Sequence, residues 1–420
     1  MKIAVIGSGI SGLSLCYYLN NANYEITLFE KENKLGGHTN SYTVNSGVDE
    51  GLKIDTGFIV FNDRNYTQFL KIINSLKIPC DNSDMSFSYW NKDKQKGYSG
   101  KNLRGLLPNS VLDLGKIVLL KNIYLYTKKF KNDFVKGNLI KYSLHEYFEF
   151  NKFPKIVVEQ YFLPLASAIW SSPTDDIGSW NAHFFAEFYM NHGLLDFTKR
   201  PLWKYIKNGS TTYIDYIIKH TKPNIKLNTY IKGIQPFDSK VKILTTDDEM
   251  LFDKVFVSTH ADQAYSLLST NNIKIHYKEL KHWRYSNNQI FLHKDTNLLP
   301  PKKYWASWNY LEDSNNDSKK VSISYYMNYL NRIRSNNNYI VSLNPLDEPK
   351  SNQILYETYY QHPVFDKIAL DSRENIKNKN GGFNIYFTGS YLGNGFHEDG
   401  VKSSYQAYKK FINSDLKNEF

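Results

Sequence analysis

Lys2-Ile3-Ala4-Val5-Ile6-Gly7-Ser8-Gly9-Ile10-Ser11-Gly12 decides the fold. Ile3 to Ile6 read as a short buried strand. Gly7, Gly9 and Gly12 then stand at G-x-G-x-x-G spacing, and Leu13, Leu15, Tyr17, Tyr18 and Leu19 follow with a helical apolar face. Tyr24 to Glu30 is a second strand, ending on an acid 18 residues after Gly12. This order has a mechanism. Gly7 lets the chain turn off the strand, Gly9 lets a pyrophosphate approach the backbone, and Gly12 lets the helix pack close to the sheet. The helix start, at Ile10 and Ser11, offers free N–H groups and partial positive charge to phosphates. Glu30 is placed to accept hydrogen bonds from a ribose. An ordinary tight turn between strand and helix would explain one glycine, not three followed by an acid.

The next segment selects the dinucleotide. After Glu30 come Lys31-Glu32-Asn33-Lys34-Leu35-Gly36-Gly37-His38-Thr39. A Gly-Gly pair just past the ribose acid suits a second loop that closes over FAD phosphates. This stretch resembles the FAD-dependent amine oxidase superfamily, which also holds phytoene desaturases and protoporphyrinogen oxidases. The resemblance implies that Lys31, Gly36, Gly37 and His38 face the cofactor. The superfamily usually has Arg after the Gly pair, so here an imidazole or backbone contact at His38 replaces a guanidinium.

Other segments extend the likeness. Ile54-Asp55-Thr56-Gly57-Phe58 resembles the acidic-small-Gly stretch near the ribityl chain and ring, which implies roles for Thr56, Gly57 and Phe58. Ile225 to Ile234 reads as one strand passing the adenine, with Ile231 at the adenine-contacting position. Phe383 to Phe387 is a strand entering a turn at Gly389 and Ser390, followed by Gly393-Asn394-Gly395-Phe396-His397-Glu398-Asp399-Gly400-Val401. The resemblance places Gly389 and Ser390 by the pyrophosphate. It also places a helix beginning near Gly400 and Val401 with its N-terminus toward the flavin, where it would stabilise negative charge. A second glycine segment so far from Gly7 favours FAD over a single NAD site.

Composition sets further bounds. The 420 residues suggest two or three domains, with 41% hydrophobic and 22% charged residues, as in globular proteins. The net charge of +11 favours anionic partners, but no nucleic-acid module is visible. Between Lys101 and Lys141 lie eight Lys and one Arg against Asp113 and Asp133, with apolar runs such as Ile117-Val118-Leu119-Leu120 between them. Such a helix suits an anionic membrane surface, or else a solvated face over the core. Cys16 and Cys80 are the two cysteines, and no metal-ligand cluster is visible. A reducing, cytoplasmic setting is expected, with peripheral contact at the inner membrane surface. No run of about 18 apolar residues suggests a spanning helix.

The expected fold class is α/β: a discontinuous Rossmann-type FAD domain (1–80, 199–262 and 366–420) with an inserted α+β substrate domain (81–198 and 263–365). In the latter, residues 112–150 read as mainly helical, and Pro164 is expected to kink or stop a helix. Ser171 to Asp175 reads as a turn and helix start. Phe184, Phe185, Phe188, Tyr189 and Met190 form an aromatic stripe. Trp305 to Tyr310 and Ser322 to Asn328 alternate as strands do and suit a cavity floor. His260 reads as a loop-capping residue.

Gly-Gly-His-Thr, Asp-Thr-Gly-Phe, Trp-Ala-Ser-Trp-Asn-Tyr and Gly-Phe-His-Glu-Asp-Gly together resemble a narrower bacterial group. Its relatives form the oxidase-like N-terminal region of plant cyclopropane fatty acid synthases. That resemblance implies non-covalent FAD and a desaturase or oxidase acting on an apolar small molecule or lipid substrate of fatty-acyl or phospholipid type. A methyltransferase partner is also implied. His397 and Glu398 are the candidates for catalytic groups at the flavin, His397 as a proton relay near neutral pH. Two rival readings stand beside it. One is a small-amine oxidase with Lys294 as its active-site lysine. The other is a non-catalytic flavin-bearing partner of a methyltransferase.

Overall fold

A computed structural model describes residues 1–106, 114–170, 174–196, 200–313 and 322–418. The first strand, Lys2–Ile6, lies at the centre of a five-stranded parallel sheet. The order across that sheet is Asn224–Lys226, Glu25–Phe29, Lys2–Ile6, Lys254–Val257, Ile385–Phe387. Strands covered on both faces carry near-continuous apolar runs, and Ile3, Ala4, Val5, Val255, Phe256 and Val257 are fully buried. The first helix, Ile10–Tyr18, packs on the last one, His397–Asn418, and on Thr212–Thr221. It buries Leu13, Leu15 and Cys16. Each such fully buried Leu contributes roughly 2 kcal/mol.

The second layer is a seven-stranded sheet drawn from residues 87–99 and 285–363. Period-two alternation sorts its faces. Phe87, Trp308, Tyr325, Val341 and Ile290 face a cavity, while the alternate positions carry a buried polar ladder. In that ladder Ser88 donates to Asn309 (2.9 Å), Asn309 donates to the Ser324 carbonyl (3.0 Å), and the Ser324 and Ser342 hydroxyls pair at 2.6 Å. Helices between residues 114 and 191 cover the other side of the cavity.

Some elements differ from expectation. Ile225 to Ile234 is two strands: Asn224–Lys226 stays in the parallel sheet, whereas Ile231–Phe237 joins a three-stranded antiparallel one. The break falls where Asn228 adopts a positive φ of 49°, a conformation Asn tolerates. The helical stretch of 112–150 resolves into Leu114–Val135 and Leu144–Phe150, the latter opened by a Ser143/Glu146 capping box. Pro164 neither ends nor isolates its helix. A π-helical turn, Val158–Phe162, precedes Leu163–Trp170 and accommodates the lost amide. The turn expected at Ser171 to Pro173 lies outside the described residues; Thr174–Gly178 is helical.

Candidate functional site

One cavity of about 1430 Å³ runs between the two sheets. That exceeds the roughly 300–1,000 Å³ of a typical small-molecule site, so it has room for a dinucleotide and a second ligand. Its first end is built by the opening glycines. Gly7 has φ 95°, and a Cβ there would press on the Ser258 carbonyl oxygen at 2.9 Å. A Cβ on Gly12 would collide with the Gly7 carbonyl, so helix and turn touch directly. At Gly9 a Cβ would meet nothing within 4 Å. Gly9 faces open cavity and gives the helix no side-chain cap. The first helical N–H groups are thus left for an anion.

Gly7, Gly9, Ile10, Ser11, Glu30, Lys31, Gly36, Gly37, His38, Thr56, Gly57, Phe58, Ile231, Gly389, Ser390 and His397 all line the cavity. Gly12, Glu398, Gly400 and Val401 do not. Glu30 is buried and accepts from the Ser8 amide (3.0 Å), the Ser8 hydroxyl (2.6 Å) and the Glu32 amide (3.0 Å). A carboxylate has about four acceptor sites, so capacity remains for a ribose hydroxyl. The Gly36-Gly37 loop closes on this turn: a Cβ on Gly37 would lie 3.2 Å from the Gly9 Cα.

His38 does not copy a guanidinium. Its Nε2 pairs with the Gln361 carbonyl at 3.0 Å, and its ring stacks on Tyr360. His260 and His362 stand 6.0 and 5.4 Å from it, centroid to centroid. Burial lowers the pKa of all three, to about 3 for His260 and His362. His260 is the N-cap of helix Ala261–Leu267 as expected, through its backbone carbonyl, which accepts the Ala264 amide at 2.8 Å, and not through its side chain. It stacks flat on Tyr285 (4.2 Å, 8°) and faces the cavity. Beside this cluster Asn40 donates to Thr56 (2.9 Å) and to Tyr360 (3.1 Å). Asp55, next to Thr56, lies behind the wall. It accepts from Ser41 and twice from Ser210, and burial raises its carboxyl pKa to about 6.

The far arm is apolar. Trp170, Phe188 and Phe396 pack together, with Phe396 on Phe188 at 4.7 Å and 25°. Leu165, Ile169, Trp308 and Tyr325 extend the lining. The stripe read around Phe184 therefore divides: Phe185 and Tyr189 are core, and Phe188 is wall. The arm's one lining carboxylate among the described residues is Asp84, which is ion-paired with Lys101 and accepts from Ser86 and Ser307.

The carboxyl-terminal segment corrects two expectations. The last helix starts at His397, not near Gly400. Gly400 and Val401 back onto the first helix; a Cβ on Gly400 would lie 2.8 Å from the Ser11 hydroxyl. Glu398 and Asp399 occupy the first turn, so the helix dipole is met by the chain's own acids. Glu398 is not placed for catalysis. Its oxygens accept the Gln68 and Phe69 amides, both at 2.9 Å, and the Thr67 hydroxyl at 3.1 Å, and so cap helix Thr67–Ser75. His397 lies flat on Phe58 (3.5 Å, 9°), with Nε2 3.0 Å from Thr39 Oγ1 and 3.1 Å from the Tyr213 hydroxyl. Burial lowers its pKa well below the usual value, which disfavours the imidazolium form and counts against the expected relay near neutral pH. Lys294 does not reach the cavity; its ammonium lies over the Tyr339 ring at 5.5 Å.

Sequence reasoning missed His362, Tyr360 and Asn40. The first two end a ten-residue strand, Ile354–Pro363, that carries no glycine or motif signal. Dense aromatic and imidazole content was the one available cue.

Comparison with known proteins follows the same division. Residues 5–76 match the family model of the NAD(P)-binding Rossmann-like domain. Over 79 residues the chain is 33% identical to the 4,4'-diapophytoene desaturase (4,4'-diaponeurosporene-forming) of Staphylococcus aureus (strain Newman), covering 17% of this chain and 16% of that protein. Such matches span only 11–16% of the curated relatives' own length. Over 98% of this chain and 99% of the other, the structure superposes on a putrescine oxidase triple mutant with TM-score 0.70 and 12% identity. The chain has the amine-oxidase type of fold. The structure also superposes on a CLA-producing fatty acid isomerase from P. acnes, with TM-score 0.69 and 15% identity over 97% of this chain and 98% of the other.

Proposed function

We propose that the protein is an FAD-dependent oxidoreductase, a desaturase or oxidase acting on a fatty-acyl or phospholipid-like chain. The observation that carries this reading is the continuity of one cavity from the Gly9 turn and Glu30 to the arm of Trp170, Phe188 and Phe396. The residues present fit a dinucleotide: an open Gly9, an uncapped helix start and a buried acid with acceptor capacity left. When bound, a flavin would supply the hydride acceptor at N5 for such a desaturation, with the proton of the neighbouring carbon released to solvent and a double bond left in the substrate.

The chain's own residues position and desolvate. Phe396, Phe188 and Trp170 exclude water from the far arm. Asn40, Thr56 and Tyr360 form a fixed polar waist between the two ends. Neutral His38, His260 and His397 line the wall without adding charge. The resemblance to the cyclopropane-synthase-related group supports the fatty-acyl choice. Against a cationic amine stands the paired state of Asp84, which leaves the arm no free lining carboxylate among the described residues.

Anaerobic addition of unsaturated or methyl-branched phospholipids to the yellow protein tests this. Fading of the flavin band with new double bonds in the recovered lipid is expected. Bleaching by polyamines but by no lipid would transfer the protein to the amine oxidase reading.

A further inference from the structure

Helix Leu114–Val135 carries a second feature, on the side away from the cavity. Lys116, Leu119, Ile123, Thr127 and Phe130 are buried beneath it. On the opposite side Ile117, Val118, Tyr124, Leu125 and Val135 are 46–70% exposed. Exposed Lys121, Lys128 and Lys136 punctuate them. Positions 117, 118, 121, 124, 125 and 128 recur at helical spacing and form one stripe.

The charges on this stripe are one-sided. Other lysines of the helix are used within the fold: Lys129 pairs with Asp133 at 2.7 Å and Lys131 with Asp196 at 2.5 Å. Lys121, Lys128 and Lys136 make no ion pair among the described residues. The helix's acid, Asp133, is taken up by Lys129 and the Tyr147 hydroxyl. A second copy docked on this stripe would bring lysine to lysine with no carboxylate between. A layer with anionic headgroups over hydrocarbon complements both halves of the pattern.

We infer that this stripe seats the protein on an anionic bilayer surface, lysines in the headgroup layer and Ile117, Val118 and Leu125 at the acyl boundary. Among the described residues no helix is long and apolar enough to cross a membrane, so the contact is lateral. The helix that carries the stripe connects to the cavity wall through Lys131. Asp196, paired to Lys131, accepts Arg200 Nε through its carbonyl at 2.8 Å, and Arg200 lines the cavity.

Co-sedimentation of the 420-residue chain with vesicles tests the assignment. Binding to vesicles containing phosphatidylglycerol is expected to exceed binding to pure phosphatidylcholine by at least about tenfold, and to collapse in roughly 0.5 M salt. Lys121→Glu/Lys128→Glu/Lys136→Glu and, separately, Leu125→Asp should each lose that binding at least about tenfold. Both should keep the wild-type circular dichroism spectrum and melting temperature, since the changed side chains are exposed. Equal binding to both lipids, or full binding by the folded triple variant, would overturn the proposal. So would a concentration-dependent dimer that Leu125→Asp dissolves, without vesicle binding.

Discussion

Oε2 of Glu398 accepts the backbone N–H of Phe69 at 2.9 Å and joins the start of the last helix to the start of Thr67–Ser75. A buried carboxylate capping two amides is a structural device, and its removal leaves both donors unpaired. Glu398→Ala should cost about 2 kcal/mol of stability, read as a lower urea midpoint. The folded fraction should keep its flavin and its turnover. A variant of undiminished stability with lost turnover would return Glu398 to the chemistry.

The opening glycines should separate by what surrounds each. Gly9→Ala adds a Cβ that meets nothing within 4 Å, so the apoprotein should fold without loss of stability. Its FAD affinity should drop at least about tenfold. Gly12→Val drives atoms into the Gly7 carbonyl and should destabilise the apoprotein itself. Paired denaturation and FAD titrations distinguish the two effects.

Phe396→Ala should open the apolar arm while leaving the dinucleotide end intact. Its ring packs on Phe188, Trp170 and His192. The KM for a long acyl chain should rise about tenfold, with flavin content unchanged. Loss of flavin in this variant would place the ring system nearer Phe396 than the cavity division implies.

Acid should unfold the protein early. Burial lowers the pKa of His38, His192, His260, His293, His362 and His397. A base whose folded pKa is depressed contributes stability above its unfolded value near 6.5 and loses it as pH falls toward the folded value. The unfolding free energy read from urea titrations should therefore drop between pH 6.5 and about 3, by at most about 1.4 kcal/mol per pH unit for each proton taken up. Asp55 opposes this: its folded pKa, raised to about 6, adds stability below 3.8 that is lost as pH rises through 6. His362→Gln should flatten the acid slope, and Asp55→Asn should steepen it.

Local rules made much of the molecule legible. Gly7, Gly9, Gly12 and Glu30 announced a strand, a turn and a helix because phosphate binding constrains backbone at fixed spacing. The tail glycines hinted at a second approach, and Gly400 does meet Ser11. Less legible was anything set by long-range packing. Glu398 looked catalytic because it follows a glycine-rich run, but its partners lie some 330 positions away. His397 looked titratable until Phe58, Thr39 and Tyr213 enclosed it. His260 and His362 gained meaning only when strands from different parts of the chain brought them beside His38.

The most direct measurement is the identity and amount of the cofactor released by heat from the freshly purified protein, separated by chromatography. Close to one FAD per chain, leaving colourless protein behind, is the predicted result. A protein that carries no flavin and stays colourless after incubation with excess FAD would contradict the account.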